Sequence, residues 1–337
     1  MWLTSSSIGR KLVMAITGCA LILFVTFHVL MNAVCIIWPT AYNQVCEFLG
    51  ANWYALVASA GLAVLFIIHI IYAFWLTWQN RKARGADRYR VTSRPPQVEW
   101  SSKNMLVLGI VVLAFLVVHL IQFWAKMQWQ ELRHADLSVL PQLEGIPVAP
   151  AQGTLFIQMA FSHVYTPIIY IIGFIALWFH MNHGFWSMFH TAGWDNNAWL
   201  GRLKSIAFVW TTLVIALFIA EAVAFTVQSH RNFYTEDEAL QQQYATYWNE
   251  QAAELVDEFD AGLYRVDNPG QDSPFNARQS QMEYIRENGP EFVEKAKVID
   301  SYYKALCPKA IPEESLKKMN AYMQQIQRIV PVHNVNN

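Results

Sequence analysis

Four histidines, His28, His69, His119 and His183, each lie inside a separate long apolar segment of the chain. An imidazole costs free energy to bury in apolar surroundings, so such residues face the interior of a helix bundle and mark a site. One buried histidine is explained by a hydrogen-bonded core position. Four, in four segments and at two matched depths, favour two irons each held between a pair of imidazoles, the arrangement of b-type haem. No Cys-x-x-Cys-His run occurs, so the haems are expected to be bound non-covalently. Cys19, Cys35, Cys46 and Cys307 lack metal-ligand spacing; Cys35 and Cys46 flank one loop, where a disulfide or two free thiols are both open.

The segments that must carry these rings are apolar runs at about 12–37, 52–78, 104–125, 155–189 and 205–229, each long enough to cross the roughly 20-residue hydrocarbon core. The expected fold is all-α: a five-transmembrane-helix bundle enclosing two b haems, followed by a helical extramembrane tail. The first run is too long for the core of a cleavable signal and leads directly into the next span, so it is expected to remain as helix one. Eleven Lys and Arg fall in the N-terminal edge and in the loops after helices two and four, against two, Lys126 and Arg133, in the other loops. By the positive-inside rule the N-terminus is expected in the cytoplasm and the C-terminal tail in the periplasm of a bacterial inner membrane.

With that orientation, His28 and His119 lie 17 and 16 residues past Lys11 and Lys103, or roughly 24–26 Å from the inner edge, at one outer level. His69 and His183 fall in the inner half. The expected pairs are His28 with His119 and His69 with His183. Gly18, Gly109 and Gly173 each precede the histidine of their own helix by ten residues and Gly61 precedes His69 by eight. Ten residues is roughly 15 Å of rise, which sets each glycine near the level of the other haem. Room for a porphyrin edge and close helix packing are both open readings of them.

Glu221 is the one charged residue well inside a span, and an intramembrane carboxylate is by default a functional candidate. Its predicted depth is that of the outer pair. It is read either as a group that takes or relays protons or as a neutral acid bonded to another helix. His163, near the outer end of helix four, and Glu47 with Asn52, at the outer start of helix two, are weaker candidates for the same outer site.

The run Ser6-Ser7-Ile8-Gly9-Arg10-Lys11 entering helix one, Phe27-His28, Val118-His119-Leu120 and above all His180-Met181-Asn182-His183-Gly184-Phe185-Trp186 resemble the cytochrome b membrane anchor of succinate:quinone oxidoreductases (succinate dehydrogenase and fumarate reductase), in the single-chain, five-helix, di-haem form. The resemblance covers residues 1 to about 230. It implies ligands from the first four helices in order, two haem b, and a quinone, menaquinone being the expected species, with Glu221, His163, Glu47 and Asn52 as the candidates for the quinone pocket and its protons. It also implies a flavoprotein subunit and an iron–sulfur subunit on the cytoplasmic face, which would hold the FAD, the iron–sulfur clusters and the dicarboxylate chemistry. The basic loop 81–94 then reads both as an orientation signal and as their docking surface. His180 and His183 are one turn apart and both reach a porphyrin; the resemblance favours His183, beside Gly184, with His180 supporting the ligand or a propionate. Propionate partners are nominated as Ser6, Arg10 and Lys11 for the inner haem and Lys126 for the outer, against ordinary interfacial anchoring of the basic three. Lipid is an expected partner and nucleic acid is not; a dimer of complexes is compatible with this reading.

Residues 231–337 depart from the family pattern, with 17 acidic against 11 basic side chains. Helical spacing of Tyr244, Trp248, Leu255 and Phe259 predicts amphipathic helices near 236–260, 275–305 and 312–330, broken at Asn268-Pro269-Gly270, Cys307-Pro308 and Ile311-Pro312. The chain is thus expected to divide into a membrane domain, 1–230, and a hydrophilic extension, 231–337, folded over the outer loops. Rival functions are the cytochrome b anchor of a hydrogenase or formate dehydrogenase, and a haem-free transporter or sensor.

Overall fold

The computed structural model describes residues 6–84, 100–194, 196, 198–267 and 274–330. The protein is mostly helical, and five helices are long and apolar enough to cross a membrane, consistent with an all-α multi-pass bundle. Much of the basic loop, including Arg88, Arg90 and Arg94, and the break at Asn268-Pro269-Gly270 lie outside the described residues.

Helix α1 spans Ser7–Ile37, and its entry is set by Ser6, whose hydroxyl oxygen accepts from Gly9 N at 2.9 Å. Such a cap satisfies one of the orphan amides of the first turn. Trp38 ends α1, and Pro39 opens the short helix α2 (Pro39–Ala51), where the missing amide of proline costs no hydrogen bond. Helix α3 (Trp53–Arg84) returns across the bundle. Helix α4 (Trp100–His119) passes directly after His119 into a π-helical turn, Leu120–Trp124. The short α5 (Gln128–Leu132) follows it.

The fourth apolar run, expected as one helix over 155–189, is two. Helix α6 (Gly153–Phe161) is almost entirely buried, and α7 (Tyr165–Thr191) begins after a turn at residues 162–164. Pro167 supplies the reason: inside a continuous helix it would delete one backbone bond and clash with the preceding turn, whereas in the first turn of a new helix it does neither. Thr166 stabilises the break by donating its hydroxyl to Ala160 O at 2.6 Å. Helix α8 (Leu200–His230) completes the five spans. In the bundle α1 packs on α3, α7 and α8, while α7 also packs on α4 and α8.

The chain separates into two compact units, Met1–Asp136 with Pro150–Asn232, and Leu137–Ala149 with Phe233–Asn337. The second unit takes in 137–149, which the sequence reading had left with the membrane domain. That segment forms a hairpin, β1 (Gln142–Leu143) antiparallel to β2 (Ile146–Pro147), across a two-residue turn with positive φ at Glu144 and Gly145. The rest of the unit is α9 (Phe233–Glu236), α10 (Glu238–Asp267), α11 (Pro274–Leu306) and α12 (Glu314–Ile329). Tyr244, Trp248, Leu255 and Phe259 are buried, with Phe292, Ala296, Leu316 and Met319 opposite them. Gly289 lets α12 approach closely, since a Cβ there would stand 2.7 Å from Ile326 Cγ2.

Candidate metal centres in the bundle

Two histidine pairs face one another inside the first unit. His28 on α1 and His119 on α4 have ring centroids 5.8 Å apart, and His69 on α3 and His180 on α7 have theirs 6.3 Å apart. Two imidazoles donating to opposite sides of one metal ion at about 2 Å each have centroids roughly 6 Å apart. Both pairs meet that spacing. Among the described residues no three His, Cys, Asp or Glu side chains converge. Each pair brings two imidazole rings together.

The fourth histidine differs from the sequence preference. The ring opposite His69 is His180, whereas His183 lies edge-on against Trp186, with centroids 4.9 Å apart. The two histidines are three positions apart, a net rotation of about 60° on one helix face, and it is His180 whose ring lies across from His69. Lys204 sits over the other side of this cluster, 4.4 Å from the Trp186 ring.

The protein holds two of the four rings through their second nitrogen. His69 Nδ1 is 3.1 Å from Thr17 Oγ1, and His119 Nδ1 is 3.2 Å from Tyr170 Oη. Thr17 and Tyr170 are both buried. Neither residue was singled out in the sequence; the available signal was a hydroxyl inside an apolar span. Phe24 stacks on His28, and Phe115 and Phe123 flank His119. Phe218 lies between the first pair and Phe174, 6.2 Å from His28.

The glycines fall beside the opposite pair. A Cβ on Gly18 would stand 3.7 Å from His69 Cε1, and one on Gly109 would stand 3.5 Å from His180 Cε1. One on Gly173 would strike Phe115, a neighbour of His119. Gly61 and Gly184 face open space, so no side chain there requires them to be glycine.

Glu221 is 3% exposed on α8, and its Oε1 has no hydrogen-bond partner among the described residues. It lies one turn beyond Phe218 and so close to the level of the His28–His119 pair. His163 is not on the fourth spanning helix: it occupies the exposed turn between α6 and α7, stacked on Tyr165. Glu47 is exposed on α2, and with Asn52, Trp53 and Tyr54 it lines a shallow depression of 580 Å³. Ser6 is engaged as the cap of α1, Arg10 lies 5.6 Å from the Trp75 ring, and Lys11 is exposed. Lys126 is half-buried just past the π turn, and that burial lowers its pKa. The four cysteines form no disulfide among the described residues; burial pushes the Cys46 thiol up to about 12, so it stays protonated.

No protein-family model, curated protein or solved structure matches this chain.

Proposed function

We propose that this chain is the di-haem cytochrome b membrane anchor of a succinate dehydrogenase or fumarate reductase, carrying electrons between a membrane quinone and an iron–sulfur partner subunit. The observation that carries this reading is the pair of facing histidine couples at iron-bridging separation, taken with the sequence resemblance of helices one, three and four. His28 and His119 would hold one haem, His69 and His180 the other, so His180 replaces His183 as the fourth ligand. When bound, each haem would supply a one-electron carrier whose potential its histidine ligands and their surroundings tune.

The donor set fits that group. Neutral imidazole is the ligand form such a group requires, and each pair offers two facing imidazole rings. Gly18 and Gly109 keep side chains off the imidazoles of the second pair. In the orientation implied by the loop charges, His28 and His119 lie toward the periplasm and His69 and His180 toward the cytoplasm. Quinol oxidation releases two protons, and Glu221, one turn beyond Phe218 on α8, is a buried carboxyl group at about the level of the outer pair, with Oε1 open to receive one. The flavoprotein and iron–sulfur subunits would dock on the cytoplasmic side, where the basic loop lies.

A dithionite-reduced minus oxidised spectrum with pyridine haemochrome quantitation tests the reading directly. Two b haems per chain, with flavin and iron–sulfur in the co-purifying subunits, are expected. An absence of haem would overturn it in favour of a transporter or sensor. Nickel or molybdenum in the partners would redirect it to a hydrogenase or formate dehydrogenase.

A further inference from the structure

Each histidine pair contains one ring that the protein holds by a hydrogen bond and one that it does not. His69 and His119 are held; His180 Nδ1 has no partner, and the His28 ring makes no hydrogen bond among the described residues. The direction of the proton in both held contacts follows from what lies beyond them.

Thr17 Oγ1 is 2.9 Å from Val13 O and 3.1 Å from Met14 O. A carbonyl only accepts, so the single hydroxyl proton of Thr17 is spent there. The Thr17 oxygen can then only accept from His69, whose Nδ1 must carry the hydrogen. At the other level the chain is longer. Thr166 donates to Ala160 O, so its oxygen accepts from Gln122 Nε2 at 3.4 Å. That orients the Gln122 carbonyl oxygen toward Tyr170, whose hydroxyl donates to it at 2.9 Å. With its proton committed, Tyr170 Oη accepts from His119 Nδ1. The π turn after His119 is what carries Gln122 to this position.

We infer that Thr17, for His69, and Tyr170 with Gln122 and Thr166, for His119, are positioning residues that lock the Nδ1–H tautomer and leave Nε2 as the only donor nitrogen of each ring. The inference rests on the di-haem reading above. A ligand that gives its other N–H to an oxygen is oriented and made more basic, and removing such a support costs about 10- to 100-fold in metal affinity. Each haem would therefore have one rigid, tautomer-fixed ligand and one adaptable ligand, with a separate control at each level. A more basic ligand favours ferric iron, so loss of the support should shift the midpoint potential of that haem upward.

The test compares Thr17→Val and Tyr170→Phe, each near-isosteric, with Thr17→Ser, in the detergent-extracted full-length protein. Haem per chain and a redox titration resolved into two components are the readouts. Thr17→Val should raise the potential or lower the occupancy of one component only, and Tyr170→Phe of the other only. Thr17→Ser should behave as wild type, which separates loss of the hydroxyl from a packing defect. Wild-type protein with two haems whose components are unmoved in both variants, or move together in each, would overturn this inference alone. Wild-type protein without haem would overturn the di-haem reading and this inference with it.

Discussion

The two histidine levels are built by different means. At the His28–His119 level the rings are walled by aromatic side chains: Phe24, Phe115, Phe123 and Phe218 stand around them, and Tyr170 reaches in with a hydroxyl backed by a relay of side chains. At the His69–His180 level the nearest neighbours are small, with Thr17, Gly18 and Gly109 against the ring edges. The difference teaches that a bundle can hold an imidazole either by filling the space around it or by keeping that space clear. It also implies that the first level, where a Cβ at Gly173 would collide with Phe115, tolerates added volume less than the second, where one at Gly18 or Gly109 would meet the rings at ordinary contact distance.

Removing a ligand should give the largest effect. His119→Ala and His180→Ala should each leave one haem of two, and the two residual spectra should differ, whereas His183→Ala should retain both. Two haems in the His180→Ala protein would return the ligand to His183 and dissolve the pairing on which the comparison stands.

Glu221→Gln comes next. It is expected to lower quinol turnover about 100-fold or more, the scale of losing a positioned base, with both haem spectra preserved. Unchanged turnover would make Glu221 a structural neutral acid. A change confined to turnover would assign proton chemistry to the aromatic-walled level alone.

A smaller effect is expected from volume. Gly173→Val should lower haem occupancy at the His28–His119 level and spare the other, because its first added carbon would collide with Phe115, which flanks His119. Gly61→Val, facing open space, should be silent. Equal loss from both substitutions would mean that helix destabilisation, not ring crowding, is being measured.

The smallest effect contrasts the bundle with the extension, whose surface is polar. Burial alone would raise the Asp260 pKa, but hydrogen bonds from Lys318 and Tyr322 outweigh it and hold the carboxyl below its usual range. A depressed folded pKa contributes stability above the unfolded value, and that contribution fades as pH falls through the folded one. Asp260→Asn should therefore cost under about 1 kcal/mol at neutral pH, as for a partly exposed pair, and less in acid. Thermal melts of the two proteins across pH would show the gap close. A gap that widens in acid would assign the contact another role.

Composition and periodicity alone determine the helical character of this chain and the five apolar runs long enough to cross a membrane. Unbroken apolar length needs no partner to be recognised, and the helical spacing of Tyr244, Trp248, Leu255 and Phe259 is a local property of α10. The existence of ring-bearing positions in four spans is equally plain in one dimension. Tertiary structure decided the rest because facing depends on helix rotation and on breaks that spacing does not encode. Only the turn before Pro167 separates α6 from α7, and only the rotation of α7 sets His180 across from His69. The supports of the rings were hidden for the same reason. Thr17 lies 52 residues from His69, and Tyr170 lies 51 from His119, so each hydroxyl became a partner only when two helices came together.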